Sequence, residues 1–217
     1  MRISHKKKFI FLSNPKSGSE TIRGILNKIS KVKIDHHQEI PGFESFCSAN
    51  LRHTALTPHL PATVVRDFFD FKGWDWNSYF KFTSIRNPWD KLVSAYHYGK
   101  PDKANRYYWE NNYNPSGGIS DFKNWLVEKG IRFYPITYFA YDFDQKNCLI
   151  DEIIRMEDFD IVLPELLKKI GVSIYTVPKT NVTKHKPYSS FYDNETIDLV
   201  AKKFNIDIEI GNYTFEN

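Results

Sequence analysis

Phe9-Ile10-Phe11-Leu12-Ser13-Asn14-Pro15-Lys16-Ser17-Gly18-Ser19-Glu20-Thr21-Ile22-Arg23 is an apolar run that stops at a small, polar, lysine-bearing turn. Four apolar residues in a row predict a short buried strand, Asn14-Pro15 breaks it, and Ser19 is the expected N-cap of a helix reaching Asn27. The first amides of such a helix have no intrahelical partner and sit at the positive end of its dipole, so they favour an oxyanion. Gly18 lets an anionic group approach the backbone, Lys16 adds a point charge, and Thr21 adds a hydroxyl one turn later. Alone, the stretch reads equally as an anion-binding turn or as an ordinary strand-to-helix connection with an exposed lysine.

A chain of 217 residues is long enough for one sizeable core and too short to demand two, so one domain spanning residues 1–217 is expected. The 30 Lys and Arg against 26 Asp and Glu leave a charge of +4 with no long basic tract, which suits an anionic small ligand and not a nucleic acid. Lys6-Lys7-Lys8 precede too few apolar residues for a signal-peptide core or a membrane span, and no later stretch is longer, so a cytoplasmic location is expected. Cys47 and Cys148 have no metal-binding spacing and are expected to be reduced, partly buried thiols.

Along the chain, strand and helix patterns alternate, which predicts an α/β fold: a central, mainly parallel sheet flanked by helices. Val32-Lys33-Ile34 opens a short strand, residues 35–50 read as loop, and Ala62 to Phe71 reads as a helix with Val65, Phe68, Phe69 and Phe71 on one side. Asp121 to Lys129 is a second amphipathic helix ended by Gly130, and Leu163 to Ile170, stopped by Gly171, and Glu195 to Phe204 read as closing helices. Tyr107-Tyr108-Trp109 and Tyr113 suit either core packing or the stacking of a sugar ring.

A second strand, turn and helix runs from Tyr79 to Tyr96. Aromatic residues alternate up to Ile85, Asn87 is placed to cap a helix, and Pro88 stands at its first position, where the missing donor costs nothing. Arg86 then lies at the carboxyl end of a strand, where open α/β sheets bind ligands, and Ser94 lies two turns into the helix. Both can hydrogen-bond one phosphate. Equally, Arg86 can pair with a nearby carboxylate and Ser94 can merely pack.

Together, Pro15-Lys16-Ser17-Gly18-Ser19-Glu20-Thr21 and Arg86-Asn87-Pro88-Trp89-Asp90-Lys91-Leu92-Val93-Ser94-Ala95-Tyr96 resemble the paired nucleotide-binding signatures of the carbohydrate sulfotransferases. The likeness continues in Ile154 to Phe159, Asn181 to Tyr188, Tyr192-Asp193 and the Asp207-to-Phe215 ending. The resemblance implies a P-loop-like sulfotransferase fold and 3′-phosphoadenosine 5′-phosphosulfate (PAPS) as co-substrate, with no metal. It implies that Lys16 and the amides of Ser17, Gly18, Ser19, Glu20 and Thr21 hold the 5′-phosphosulfate, with the Thr21 hydroxyl assisting. By the same resemblance Arg86 and Ser94 hold the 3′-phosphate, and a segment around Lys184 and Lys186 closes over the nucleotide. Charge at two ends of an adenosine calls for two separate cationic loops, whereas a nucleoside triphosphate needs one.

The implied chemistry is in-line transfer of a sulfuryl group to a hydroxyl of a carbohydrate or similar acceptor, with Lys16 stabilising the leaving oxygen. The attacking hydroxyl needs a base poised near neutral pH. His53 is the first choice, because in related enzymes a histidine shortly before the Arg-bearing strand faces the acceptor. His59, His36, His37 and Glu20 follow, Glu20 ranking low because a carboxylate there repels the donor. Two other classes compete: a small-molecule or nucleotide kinase, and a non-catalytic nucleotide- or glycan-binding family member. Against the kinase, Lys16 precedes Gly18, where a Walker loop ends Gly-Lys-Ser/Thr. Retention of Lys16, Thr21, Arg86 and Ser94 speaks against the non-catalytic form.

Overall fold

A computed structural model describes residues 1–33, 59–98, 119–173, 176–178 and 186–215. The loop expected at residues 35–50, Cys47, Tyr107 to Trp109 and Tyr113 lie outside the described residues. The chain divides into two compact units, Met1–Ile85 with Ile136–Thr180, and Arg86–Pro135 with Asn181–Asn217.

The first unit is built on a five-stranded sheet: β1 (Arg2–Ser4), β2 (Phe9–Phe11), β3 (Val32–Lys33), β4 (Phe80–Ile85) and β5 (Glu152–Arg155), in the order β3-β1-β2-β4-β5. β2, β4 and β5 pair parallel, with Phe11 opposite Phe82 and Ile85 opposite Arg155. β1 runs against both β2 and β3, so the fold is α/β as expected, with one reversed strand in the sheet. That strand is not visible in the pattern, because its few apolar residues stand beside the run of lysines. The turn between β1 and β2 closes with Lys8 in a left-handed conformation, φ 51°.

The two-residue period of the strands puts Phe9 and Phe11 on one face of the sheet together with Phe82 and Ile154. Against that face pack Ile22 and Leu26 of α1 (Ser19–Leu26) and Phe159, Leu163, Leu166 and Leu167 of a helix at Phe159–Lys169, all buried. The Phe11 and Phe82 rings lie 5.2 Å apart. The helix at Phe159–Lys169 begins four residues before the expected Leu163 and runs through Pro164. Burial of Phe159 one turn before Leu163 outweighs the hydrogen bond the proline removes. α2 (Ala62–Phe71) lies where expected and buries Val65, Phe68 and Phe69, but Phe71 is exposed. The Phe69 ring meets Trp74, Trp76 and Tyr79 at centroid distances of 5.2, 5.6 and 5.0 Å. Cys148 is free and exposed, against the expectation of partial burial, because it ends a turn bridged back to Tyr141 whose residues 143–147 are also exposed. No helix among the described residues is long and apolar enough to cross a membrane.

The second unit is helical, comprising α3 (Pro88–Tyr98), α4 (Ile119–Glu128) and, after α5 (Ile136–Ala140) and α6 (Phe159–Lys169) of the first unit, α7 (Asn194–Lys203) and α8 (Asn205–Gly211). α4 buries Phe122, Trp125 and Leu126, the face its spacing predicts, and Tyr96 of α3 meets the Phe122 and Trp125 rings at 5.4 Å each. α7 starts with a full capping box, in which Asp193 Oδ1 accepts from Thr196 N at 2.9 Å and Thr196 Oγ1 accepts from Asp193 N at 2.9 Å. Lys123 of α4 adds ion pairs to Asp193 and Glu195.

The hydrogen bonds from Thr196, and then the Lys123 ammonium, hold the Asp193 carboxyl at about 2, below its ordinary 3.8. A carboxylate depressed on folding stabilises above its unfolded value and loses that contribution as the pH falls. The melting temperature is therefore expected to fall between pH 3.8 and pH 2 by more in the wild type than in Asp193→Asn. Parallel pH-melting curves for the two proteins would refute this.

Candidate functional site

The loop between β2 and α1 is fastened to the end of β4. Leu12 N donates to Phe82 O at 3.0 Å, Thr83 Oγ1 to Leu12 O at 2.7 Å, Asn14 Nδ2 to Ser84 O at 3.0 Å, and Ser84 Oγ to Ser17 O at 2.6 Å. Strand, loop and helix are thus one assembly. The two hydroxyls that interrupt the apolar strand at Thr83-Ser84 are the visible signal for it.

Within the loop, Lys16 and Gly18 both take left-handed conformations, φ 60° and 75°. Successive residues of alternating hand turn their N–H groups toward a common concavity, a nest for an anion. The helix cap differs from the expected one: Gly18, not Ser19, is the N-cap, and it has no side chain with which to cap. Ser19 is already helical, and its hydroxyl donates to Asn14 O at 2.7 Å, closing the loop on itself. Gly18 also has a reason beyond close approach of a ligand, since a Cβ there would stand 2.5 Å from the Phe159 ring and 3.0 Å from Met156 Cγ. Met156 and Phe159, within the Ile154-to-Phe159 stretch, therefore matter to the loop by packing against Gly18.

Thr21 N donates to Gly18 O at 3.1 Å, so its amide is used within the first turn, while Ser19 and Glu20 hold the amides that a helix start leaves without an intrahelical acceptor. Thr21 Oγ1 donates to Pro178 O at 3.4 Å. Glu20 forms an ion pair with Arg23 one turn on, which engages its carboxylate and counts against it as a base.

In the second unit the expected cap forms: Asn87 Oδ1 accepts from Trp89 N at 3.1 Å and Asp90 N at 3.3 Å, and Pro88 is the first helical residue. Asn87 Nδ2 donates to Thr214 O at 3.3 Å and to Tyr188 Oη at 3.5 Å. Trp89 is held from both ends, its Nε1 donating to Ile197 O at 3.2 Å and its carbonyl accepting from Tyr192 Oη at 2.8 Å. Phe215 lies 5.5, 5.6 and 5.5 Å from the Trp89, Tyr188 and Tyr192 rings. Burial, then the charge of Asp90, pushes the Tyr192 phenol well above its ordinary value. The chain ending thus fixes the start of α3.

Arg86 pairs with Asp90, both Nε and Nη2 standing 2.7 Å from Oδ2, and Ser94 is buried on the same side of the helix two turns on. The carboxylate orients the guanidinium: the carboxylate partner expected for Arg86 is Asp90, four residues on.

Of the histidines, His53, His36 and His37 lie outside the described residues, as does Lys184, and Lys186 is exposed. His59, three residues before the start of α2, has Nδ1 2.8 Å from Ser13 O. A carbonyl only accepts, so Nδ1 carries the proton and the lone pair of the neutral ring is on Nε2. That ties one candidate base to the residue three before Lys16. Arg155 at the end of β5 pairs with Asp158, Nε standing 3.3 Å from Oδ2.

The model of the Sulfotransferase family matches residues 1–214. The chain belongs to the sulfotransferase family. A search of curated proteins finds no match to this sulfotransferase-family chain. Among solved structures it is similar to mouse sulfotransferase SULT7A1 complexed with PAP, at 16% identity and a TM-score of 0.44, over 99% of this chain and 70% of that one.

Proposed function

We propose that this sulfotransferase-family protein transfers the sulfuryl group of PAPS to a hydroxyl of a carbohydrate or similar hydroxylated acceptor. The observation that carries the reading is the β2–α1 loop, where Lys16 and Gly18 are both left-handed at a helix start, the backbone pattern that favours a bound anion. In this proposal Lys16 and the amides of Ser17, Gly18, Ser19 and Glu20 hold the 5′-phosphosulfate. Thr21 joins them when its hydroxyl turns from Pro178. Arg86, braced by Asp90, and Ser94 hold the 3′-phosphate, and Lys184 and Lys186 add positive charge over the nucleotide. A donor with anionic groups at both ends of an adenosine calls for two separate cationic loops, the property that distinguishes PAPS from a triphosphate.

The chemistry follows from where charge develops. Lys16 stabilises the phosphate oxygen that leaves, and 3′-phosphoadenosine 5′-phosphate (PAP) departs as a stable anion. The acceptor hydroxyl gives its proton to a base as its oxygen attacks the sulfur in line. Among the described residues His59 is best suited to this, because the Ser13 carbonyl fixes the tautomer whose Nε2 accepts a proton. His53, the first choice from the sequence, and His36 and His37 are the other histidine candidates.

Thermal-shift titration with PAP, ATP plus magnesium, and NAD tests the donor, followed by transfer of labelled sulfate to a glycan panel. PAP is expected to raise the melting temperature most. Stronger protection by ATP with magnesium would overturn the reading in favour of a kinase. For the base, His59→Ala is expected to lower kcat by about 10²–10⁴-fold while PAP affinity stays within about twofold. Normal turnover in His59→Ala, with loss in His53→Ala, would move the role to His53.

A further inference from the structure

Lys91 lies on α3 between Asp90 and Ser94, yet its side chain and that of Asp207 are each only 1% exposed. Lys91 Nζ is 4.0 Å from Asp207 Oδ1, donates to Tyr134 O at 3.4 Å, and stands 5.3 Å from the centre of the Phe204 ring. Burial pulls the Lys91 ammonium below its ordinary value, and the Asp207 charge opposes this. A fully buried pair at this separation is a poor source of stability, since desolvating two charges costs as much as their attraction returns, and apolar residues of similar volume do as well or better. In some proteins a buried polar or charged group instead fixes the register of the elements it joins.

The register at issue is that of the residues proposed to bind nucleotide. Asp90 and Ser94 lie four residues apart on one side of α3, Arg86, just before the Asn87 cap, is held to that side by its pair with Asp90, and Lys91 stands three residues before Ser94. Each residue of helical rotation turns that side by about 100°. Asp207 sits in the first turn of α8, so the pair links the angle of α3 to that helix.

We propose that Lys91 and Asp207 are a positioning pair that sets the rotation of α3 against α8 and thereby aims Arg86 and Ser94 at the 3′-phosphate. The inference rests on the PAPS-dependent reading above. The test is the double variant Lys91→Met/Asp207→Leu, measured by melting temperature, by PAP affinity in calorimetry, and by amide exchange across residues 88–98. The expected result is a melting temperature at or above wild type, PAP binding weakened about tenfold, a donor KM raised with the acceptor KM unchanged, and faster exchange in α3. Wild-type PAP affinity and α3 exchange in the double variant would overturn the proposal. So would a double variant that melts well below wild type, because the pair would then carry stability. If the wild-type protein itself binds no PAP, the donor reading fails, and α3 exchange alone decides whether the pair positions the helix.

Discussion

Lys16→Ala is expected to lower kcat for sulfuryl transfer by about 10²–10³-fold, the usual loss when one preorganised group facing a developing oxyanion is removed. Lys16 sits in a left-handed turn at φ 60°, and alanine meets the same backbone constraint, so the loop geometry is expected to survive. The loop is fastened by Leu12, Asn14 and Ser17 to β4 and by Ser19 to itself, and none of those bonds uses the Lys16 side chain. Melting of the variant measured in parallel separates a loss of chemistry from a loss of fold. PAP affinity should fall by less than turnover, because the charge on the leaving oxygen is larger in the transition state than in the bound donor. Labelled-sulfate transfer at saturating donor gives the answer, and unchanged kcat would remove Lys16 from the chemistry.

Gly18→Ala is expected to be the most destabilising single methyl addition in the loop. Its Cβ would stand 2.5 Å from Phe159 Cε2 and 3.0 Å from Met156 Cγ, and the backbone is left-handed at φ 75°. Overpacking of this kind and a non-glycine left-handed residue together cost roughly 2–4 kcal/mol. In a chain of this length that is a fall in melting temperature of about 5–15 °C. The Phe159→Leu change made alongside it separates the two causes: it relieves the clash and leaves the backbone strain, so the double variant should recover part of the loss. Equal melting of Gly18→Ala and wild type would show that α6 yields freely beneath the loop.

Much of this was legible in the residues. The strand, loop and helix around Lys16 and the strand, cap and helix around Arg86 were readable because their signals are local: an apolar run, a proline at the first helical position, an asparagine cap. The Arg86–Asp90 pair belongs to the same class, since only the cap and the first turn of α3 separate the two residues. The Ser19 cap failed for a physical reason, because Ser19 Oγ found Asn14 O and left the N-cap position to a glycine. Leu163 was too late a start for α6 because a proline normally marks a helix boundary, and the sheet-facing burial of Phe159 overrides that local rule.

By itself, then, the sequence determined that a lysine-bearing loop precedes one helix, that an arginine precedes another, and that both follow strands. These depend on dihedral preferences and side-chain period, which neighbouring residues set. Only the tertiary structure decided that β1 reverses against β2, that His59 reaches Ser13 across 46 positions, that Phe159 fills the space behind Gly18, and that Lys91 is buried opposite Asp207. Each of these brings together residues far apart in the chain, and their meeting follows from the burial of whole faces of sheet and helix, which no local pattern encodes.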